Sequence, residues 1–405
     1  MYIEAMRTFG KKYNFCIVTY ETVPNPLTQN LKTYLLENYS ADILYIYHQM
    51  LDMKEACNKS SGYDYFKDNK LVSSGKAYNF KLYWTFFYIK DILYTFFWCL
   101  KFRERFDVYF ASGNLNPVVG LILREMGIVK KVIYQSVDYY SIRFKNKFFN
   151  WLYFQMDKFC VRFCDETWNV SSMMAQAREK QMGMDIKIFN RQYTVPGGIW
   201  FYKTKRLPFT KINRKKIVYR GMLLEFMGVD LAIRAMPLLL KKIPDLKFEI
   251  IGTGEEENHL RNLANSLKVS KNVLFHGFVK ERADVEKILS DAGVGIATFN
   301  PNMPVDRVKN SDPGKIKDYM LLGMPVITTD TNPYSKEFIK NECGLVVGYD
   351  PKELASLVIK LLNNQKLLKK YRNNAIKFIE KFDCTNILKP NLERILKETN
   401  NHYEN

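Results

Sequence analysis

The residues of this sequence best suited to chemistry lie in a short run around residue 315. Asp312 is a typical helix N-cap and Pro313 a typical first helical residue, so a helix is predicted to begin here. A helix N-terminus binds phosphate because its amide groups lack partners within the helix and the helix dipole is positive at this end. Lys315 adds a full positive charge. The run therefore predicts an anion site in which Lys315 stabilises a phosphate leaving group.

Asp318 follows Lys315 by three residues and lies on the same helical face. A carboxylate in this place can accept hydrogen bonds from ribose hydroxyls, so the two side chains suit the two ends of a nucleotide diphosphate. Ser311, Gly314 and Tyr319 are further candidate substrate-binding residues of the same run, together with Asp312 and Pro313. The alternative is an ordinary amphipathic helix whose Lys and Asp are solvated.

Three glycines follow predicted strands of the second half of the chain, and they are candidates for close approach to a ligand: Gly221, Gly252 and Gly254. Gly252 and Gly254 stand between a strand and a helix, as in dinucleotide-binding loops. The third glycine of that fingerprint is replaced by Glu257, which argues against NAD or FAD. Two interpretations remain for this pair, a backbone contact with a nucleotide or tight packing of strand against helix. Arg220 is a candidate cation for the diphosphate.

In the first half of the chain, Asp138 follows the predicted strand 132–134. A carboxylate there can orient a sugar hydroxyl or stabilise positive charge that develops at a sugar carbon. The alternative role for Asp138 is a helix N-cap.

No pattern in the sequence predicts a metal or an organic cofactor. The four histidines and seven cysteines are scattered, with no Cys-x-x-Cys pair, and there is no Asp-x-Asp triplet. We therefore expect metal-independent chemistry without a cofactor. The odd, dispersed cysteines are typical of free thiols in a reducing cytosol.

The composition is that of a folded protein that attracts anions. Of the 405 residues, 47% are hydrophobic and 25% charged, which excludes wholesale disorder. The net charge of +19 favours nucleic acid, anionic lipid or phosphorylated small molecules as partners. No nucleic-acid-binding module accompanies it, so nucleic acid is not expected. No secretory signal is recognised, and Lys90 and Asp91 interrupt the apolar run 82–100, which disfavours a spanning helix.

Short apolar runs alternate with amphipathic helical patterns, which predicts an α/β fold with parallel sheets. The predicted strands lie at 15–20, 43–47, 108–110, 132–134, 167–170 and 193–195, then at 216–219, 248–251, 273–275, 295–298, 326–329 and 344–347. The basic stretch 203–216 is predicted to be a linker. We expect two doubly wound domains, residues 1–200 and 201–375, and a helical tail, 376–405, that can cross back to the first domain.

Two stretches combine bulky aromatic residues with cations, 83–98 and 143–163. Between residues 143 and 163, five positive charges accompany the single carboxylate of Asp157. Basic amphipathic helices with Trp and Tyr are typical of proteins that lie on anionic membrane surfaces. The alternative is an aromatic core face with solvated lysines.

Four motifs occur in a fixed order in the second half of the chain: Gly228-Val-Asp-Leu-Ala-Ile233, Ile251-Gly-Thr-Gly-Glu255, Val273 to Val279, and Asp312 to Ile327 with its Asp-Pro-x-Lys-x-x-Asp-Tyr helix. Together they resemble the group 1 glycosyltransferases, retaining enzymes of the family 4 type. The resemblance continues more weakly through Ser136-Val-Asp138 and Val195-Pro-Gly-Gly198. It implies the GT-B fold, two Rossmann-like domains facing across a cleft, with residues 1–200 on the acceptor side and 201–375 binding a nucleotide sugar.

The sequence departs from the family pattern in three places. Met222 and Met227 replace the Arg and Lys that clamp the diphosphate in the family, so Lys315 or Arg220 must supply that charge. The family's paired glutamates, eight residues apart, correspond to Asn310 and Asp318, and only Asp318 keeps a carboxylate. The loop 21–26 contains no glycine, whereas the family often has a glycine-rich loop after its first strand.

The resemblance implies a retaining Leloir hexosyltransferase that moves a sugar from a UDP- or GDP-sugar to a lipid-linked or surface glycan in polysaccharide biosynthesis. In this interpretation Lys315 and the helix N-terminus hold the departing diphosphate, and Asp138 approaches the donor sugar. The expected location is cytoplasmic, peripheral on the inner face of the cytoplasmic membrane. The alternatives are a nucleotide-sugar epimerase of the same fold and a non-catalytic GT-B subunit that binds a partner.

Overall fold

The chain forms two compact units, as shown by a computed structural model that describes residues 11–21, 26–49, 60–78, 84–102, 105–139, 141–185, 191–303 and 306–401. The first unit combines Met1–Gly198 with Cys384–Asn405, and the second is Ile199–Asp383. The chain therefore returns to its first unit at residue 384, within the stretch predicted as a tail.

The first unit is built on one sheet with helices packed against it. In chain order its elements are β1 (Tyr13–Glu21), α1 (Pro26–Asn38), β2 (Ala41–Gln49), β3 (Gly62–Lys67), β4 (Lys70–Lys76), α2 (Trp84–Lys101), β5 (Phe106–Ser112), α3 (Asn116–Glu125), β6 (Val129–Ser136), α4 (Lys147–Phe163), β7 (Glu166–Asn169), α5 (Ser172–Met182) and β8 (Gln192–Thr194). The strands lie in the order β4-β3-β2-β1-β5-β6-β7-β8. All neighbouring pairs from β2 to β8 are parallel.

The hairpin β3–β4 is an antiparallel addition to one edge of this sheet that the sequence analysis did not predict. Its turn consists of Asp68 and Asn69, both with positive φ. Two successive residues with positive φ form the turn that best matches the twist of a hairpin, and Asp and Asn tolerate it better than most residues. The Asp-Asn pair was therefore an available signal.

The second unit is also doubly wound. Its elements are β9 (Asn213–Arg220), α6 (Val229–Lys242), β10 (Lys247–Ile251), α7 (Glu257–Ser266), β11 (Val273–Gly277), α8 (Arg282–Leu289), β12 (Ala292–Ala297), α9 (Asp306–Lys309), α10 (Gly314–Leu321), β13 (Val326–Thr329), α11 (Ser335–Lys340), β14 (Gly344–Val347), α12 (Pro351–Asn363) and α13 (Gln365–Ile379). Its strands are all parallel, in the order β11-β10-β9-β12-β13-β14. The predicted α/β class with parallel sheets is confirmed.

The last helix, α14 (Cys384–Asn401), packs on the first unit. Arg394 makes two hydrogen bonds of 2.8 Å to the carboxylate of Glu166 on β7, and Lys131 donates to the carbonyl of Ile395 at 3.2 Å. In the part of the chain that the structure describes, no helix is both long and apolar enough to cross a bilayer.

The prediction of a linker at 203–216 is wrong. β9 begins at Asn213, and Arg206 packs against the ring of Phe201 at 4.0 Å and donates to the carbonyl of Leu321 at 2.7 Å. The many basic residues made this stretch look like an exposed linker in the sequence. It is packed nevertheless, because an arginine side chain can lie along an apolar surface and still satisfy its donors.

The first unit contains a buried charge pair at the carboxyl end of its sheet. Arg178 has no exposed surface, and its guanidinium donates to the carboxylate of Asp157 at 2.7 and 3.1 Å. It also donates to Asn169 on β7 and to Ser136 at the end of β6. Nearby, the hydroxyl of Tyr134 donates to Asp157 at 2.6 Å. This network fixes the end of β6, directly before Asp138.

We predict that Arg178→Met lowers the free energy of unfolding by about 3–5 kcal/mol, because it leaves the carboxylate of Asp157 buried without its counter-charge. Arg178→Met combined with Asp157→Asn should recover part of the loss. Urea unfolding followed by tryptophan fluorescence measures the stability of both variants. The signal reports mainly on the first unit, because four of the five tryptophans lie there and only Trp200 lies in the second. A loss below about 1 kcal/mol in the single variant would contradict the assignment.

Candidate anion site at the carboxyl edge of the second sheet

The candidate site lies where the strand order of the second sheet reverses, between β9 and β12. Ligands of open α/β sheets bind at the carboxyl ends of the strands at such a point. Arg220 is the last residue of β9, and its backbone N–H donates to the hydroxyl of Tyr319 on α10 at 2.7 Å. The side chain of Lys315, in the first turn of α10, also bonds Tyr219 near the end of β9. The start of the helix and the end of the strand therefore adjoin, as a phosphate site requires.

Lys315 lies in the first turn of α10 and is half-buried. Its ammonium group donates to the hydroxyl of Tyr219 at 3.0 Å and lies 3.2 Å from the sulfur of Met227. It also lies over the rings of Tyr219 and Phe299, at 4.4 and 5.1 Å. Among the described residues, no carboxylate lies within ion-pair distance of this nitrogen. The charge of Lys315 is thus not neutralised by the protein around it.

Burial and the nearby guanidinium of Arg220 lower the pKa of Lys315 to about 7. Both effects disfavour the ammonium form, since burial removes its hydration and a like charge repels it. An anion that enters the site reverses the balance and raises this pKa.

The contact between Lys315 and Met227 addresses one departure from the family pattern. Met227 corresponds to a position that carries a cation in the family, and the ammonium of Lys315 reaches its sulfur. Met222, the other replaced position, is exposed, and its carbonyl accepts a hydrogen bond from Tyr219 at 2.8 Å. The ammonium of Lys315, supplied by α10, therefore lies beside Met227, one of the two positions at which the family cation is replaced.

The predicted N-cap role of Asp312 is wrong. Pro313 occupies the N-cap position, no side chain caps the helix, and α10 begins at Gly314. Asp312 instead accepts a hydrogen bond of 2.5 Å from Lys317, a buried lysine that needs a counter-charge. The hydroxyl of Ser311 donates to the carbonyl of Val308 at 2.9 Å.

Gly314 is exposed, and a side chain there would meet nothing within 4 Å. The amide groups of Ile316 and Lys317 donate to the carbonyl of Pro313, whereas no carbonyl precedes the amides of Gly314 and Lys315 in the helical register. The anion-binding end of this helix is therefore open, without a carboxylate cap over it.

Asp318 lies on the side of α10 that faces β9 and α8. Its carboxylate accepts hydrogen bonds from Arg220 and from Arg282, the latter at 3.4 Å. Arg282 also bonds Glu286 one turn along α8, at 2.8 Å. Arg220 thus points at Asp318. A small cleft beside them is lined by charged and aliphatic side chains: Arg220, Arg282, Glu286, Asp318, Val285, Leu289, Leu321 and Leu322.

Tyr319 has no exposed surface, because its ring packs in the core beneath the site. Its hydroxyl accepts from the backbone of Arg220 and donates to the carbonyl of Ile296 at 3.3 Å. The structure thus places Tyr319 as a positioning residue, which joins α10 to β9 and β12, rather than at a ligand-accessible surface.

The glycines after β9 and β10 lie against each other. A Cβ on Gly252 would stand 1.9 Å from the carbonyl oxygen of Gly221, and one on Gly254 would stand 2.2 Å from that of Leu223. Gly221 and Gly252 also adopt φ values of +145° and +133°, which disfavour other residues. Tight backbone packing accounts for Gly252 and Gly254, whereas Gly221 also leaves room for Lys315, whose nitrogen would lie 3.1 Å from an added Cβ.

The candidate on the first unit, Asp138, is about half exposed, and its carboxylate lies 3.5 Å from the guanidinium of Arg143. The alternative of a helix cap is wrong, because Asn146 caps α4 and accepts from Phe148 and Phe149.

Residues 22–25 of the glycine-free loop 21–26 lie outside the described residues.

Three residues of this site were not predicted from the sequence: Tyr219, Arg282 and Phe299. Tyr219 and Phe299 look like ordinary strand-end aromatic residues, and Arg282 is separated from Asp318 by 36 residues of chain. No spacing rule in a single sequence connects them. Within the described ranges, no three side chains of His, Cys, Asp or Glu converge as a metal ion requires.

Comparison with known proteins agrees with the geometry. Residues 204–378 match the family described as Glycosyl transferases group 1. An uncharacterized glycosyltransferase of Methanocaldococcus jannaschii is 30% identical over 193 residues, 42% of this chain and 46% of that protein. The poly(glycerol-phosphate) alpha-glucosyltransferase of Bacillus subtilis is 24% identical over 163 residues, 39% of this chain and 22% of that protein. The chain thus spans less than half the length of these curated relatives.

Similarity to solved structures extends over nearly the whole chain. HepE of Anabaena, solved in complex with UDP and with UDP-glucose, has a TM-score of 0.65 and 13% identity, and the match covers 95% of this chain and 99–100% of that one. At this identity the likeness shows the fold. The predicted resemblance is confirmed: the chain has the GT-B fold, and residues 204–378 within its second unit match the group 1 glycosyltransferases.

Proposed function

We propose that the protein is a retaining glycosyltransferase that moves a hexose from a nucleotide diphosphate sugar to a glycan acceptor. The observation that carries the proposal is the half-buried ammonium of Lys315, which stands at the open N-terminus of α10 in a group 1 domain. A diphosphate supplies the negative charge that the described surroundings of Lys315 lack. UDP-glucose is the first donor to test, because HepE was solved in complex with it.

The proposed catalysis is electrostatic. As the bond between sugar and diphosphate breaks, negative charge grows on the leaving oxygen. Lys315 and the first amides of α10 are held in place before the reaction and need no reorganisation to stabilise that charge. Asp318 serves the ribose hydroxyls, with Arg220 and Arg282 fixing its carboxylate. Asp138 is proposed to contact the donor sugar.

For the acceptor we propose a lipid-linked or surface glycan, reached at the inner face of the cytoplasmic membrane. The named relative from Bacillus subtilis acts on poly(glycerol-phosphate), an anionic polymer. A chain with a net charge of +19 attracts acceptors of that kind.

The experiment that tests this function offers UDP-glucose, UDP-N-acetylglucosamine and GDP-mannose separately to the full chain, with membrane-lipid extract or poly(glycerol-phosphate) as acceptor. Mass spectrometry of the products is expected to find one sugar added to an acceptor, and NMR of the product gives the anomeric configuration. An epimerised donor formed without acceptor would instead support the epimerase. No binding of any donor would support a non-catalytic subunit.

We predict that Lys315→Gln lowers kcat at least tenfold, and by about a hundredfold if Lys315 contributes as much as a typical oxyanion donor. The matched control is Lys336→Gln, the same change on an exposed lysine of α11, which should keep full activity. Steady-state kinetics on the donor that proves active measures both. Near-normal turnover in Lys315→Gln would remove this lysine from the site.

We predict that UDP-glucose binds about tenfold more weakly at pH 8 than at pH 6. Binding favours the ammonium form of Lys315, whose pKa without ligand is about 7, so affinity is constant below that pKa and falls as the pH rises through it. The diphosphate diester of UDP-glucose does not itself titrate in this range. Isothermal titration calorimetry in buffers of different ionisation enthalpy should also detect proton uptake at pH 8.

The control for the pH experiment is Lys315→Gln, which should bind UDP-glucose weakly and equally at both pH values. If the wild-type affinity does not change between pH 6 and pH 8, Lys315 does not hold the diphosphate.

A further inference from the structure

The first unit carries an outward stripe of large apolar side chains on α2. Its members recur every three or four residues and are 40–64% exposed: Phe86, Ile89, Leu93, Phe97 and Leu100. Such spacing places them on one side of the helix. The opposite side packs into the core through Trp98 and Cys99. The inner side also carries the buried polar residues Asp91 and Thr95. The outward side of α2 is nevertheless apolar, although a helix at a water-exposed surface normally turns a polar side outward.

A second stripe lies on α4, with members 39–62% exposed: Phe148, Trp151, Leu152, Phe159 and Phe163. The other four lie 3, 4, 11 and 15 residues after Phe148, so they share one side of the helix, with the exposed polar residue Gln155 between Leu152 and Phe159. Phe148 stacks against Trp151, and Phe159 packs against Phe163 with ring centroids 4.7 Å apart. The inner side of this helix is formed by the buried residues Phe154, Asp157, Cys160 and Val161.

The two stripes belong to one surface. α3 packs on β5 and β6 and contacts both α2 and α4. α3 and α4 connect strands that follow one another across the sheet, β5 to β6 and β6 to β7, so right-handed crossovers place both helices on the same side. Neighbouring helices pack about 8–10 Å apart, so the stripes run about 20 Å from each other on the same side of the sheet. Between them, Ile122 of α3 and Met126 just after it are also about half exposed. We call this surface, from α2 across α3 to α4, the α2–α4 face.

Positive charge surrounds the stripe on α4. Lys145, Lys147, Lys158 and Arg162 lie in or just before this helix, whereas the charge of Arg143 is balanced by Asp138. The single carboxylate between residues 141 and 163, that of Asp157, is buried against Arg178. The exposed charge of this segment is therefore entirely positive.

We propose that the α2–α4 face docks on the surface of an anionic lipid bilayer, with its apolar stripes at the level of the acyl-chain boundary and its cations among the headgroups. Exposed aromatic and aliphatic side chains bordered by lysine and arginine are the chemistry that an anionic leaflet recognises. The charge pattern favours this partner over a second copy of the chain, because pairing this face with itself would bring like charges together. The inference extends the proposed location and uses neither donor nor acceptor, so the two proposals can fail separately.

The test is flotation of the full chain with vesicles of phosphatidylcholine, with and without phosphatidylglycerol, at low and high salt. We expect strong binding to the anionic vesicles, at least tenfold weaker binding to the neutral ones, and release by salt. Trp151 is the spectroscopic reporter, since its emission should shift to the blue on binding and the shift should disappear in Trp151→Phe. Absence of binding to anionic vesicles at low salt would overturn the proposal.

Two test variants, each with a matched control, distinguish binding through this face from nonspecific hydrophobic adsorption and from attraction by the overall net charge. Leu93→Ser/Trp151→Ser should weaken vesicle binding at least tenfold, whereas Phe278→Ser/Ile339→Ser, at exposed positions of the second unit, should not. Lys145→Gln/Lys147→Gln should weaken it about tenfold or more, whereas Lys366→Gln/Lys369→Gln removes the same charge from α13 and should not.

Thermal unfolding of each variant checks that the fold is kept, and the charge variants leave the apolar stripes intact. Equal losses in the test and control pairs would overturn the proposal. So would a dimer in sedimentation analysis that Leu93→Ser/Trp151→Ser converts to a monomer while vesicle binding is absent, since the face would then join two copies.

Discussion

The candidate site depends on an ammonium group that has no carboxylate partner within the part of the chain that the structure describes. Lys315 is fixed by the hydroxyl of Tyr219 and by two aromatic rings. The charged group that helps burial to lower the pKa of Lys315 is another cation, Arg220. These contacts orient the side chain but do not neutralise it. The folded protein therefore keeps a place where negative charge is favourable, and the lowered pKa of the lysine is the measurable sign of that imbalance.

In the first unit, by contrast, a buried cation is fully paired with polar and charged partners. Arg178 is fully enclosed, but Asp157, Asn169 and Ser136 satisfy its donors. A cation matched in this way stabilises a particular arrangement of strands and has no spare charge for a ligand. The contrast explains why burial by itself does not identify a functional lysine or arginine. The informative feature is the chemistry of the groups around it.

The loops of the site are held by backbone contacts as much as by side chains. Gly252 and Gly254 allow the turn after β10 to lie directly on the loop 221–223, and Gly228 packs equally closely on Thr298 after β12. Three strand ends thus support one another, and Arg220, Met227 and Phe299 emerge from them around Lys315. A site of this kind tolerates exchange of a side chain, such as a methionine where relatives carry a cation, because another element can deliver the charge.

The amino-acid sequence was enough to predict the fold class, nearly every strand of both sheets, the helix that carries Lys315 and Asp318, and the resemblance to group 1 glycosyltransferases. These follow from local periodicity, from helix and turn residues, and from motifs that are contiguous in the chain. Three-dimensional packing was needed to establish that Asp312 pairs with Lys317 instead of capping α10 and that Tyr319 is buried. The same holds for the presence of Tyr219, Phe299 and Arg282 in the site. The structure also revealed that the aromatic residues of α2 and α4 divide between the core and an exposed face. Such outcomes depend on which distant segments meet and how each charge is solvated there, and neither is encoded by spacing along the chain.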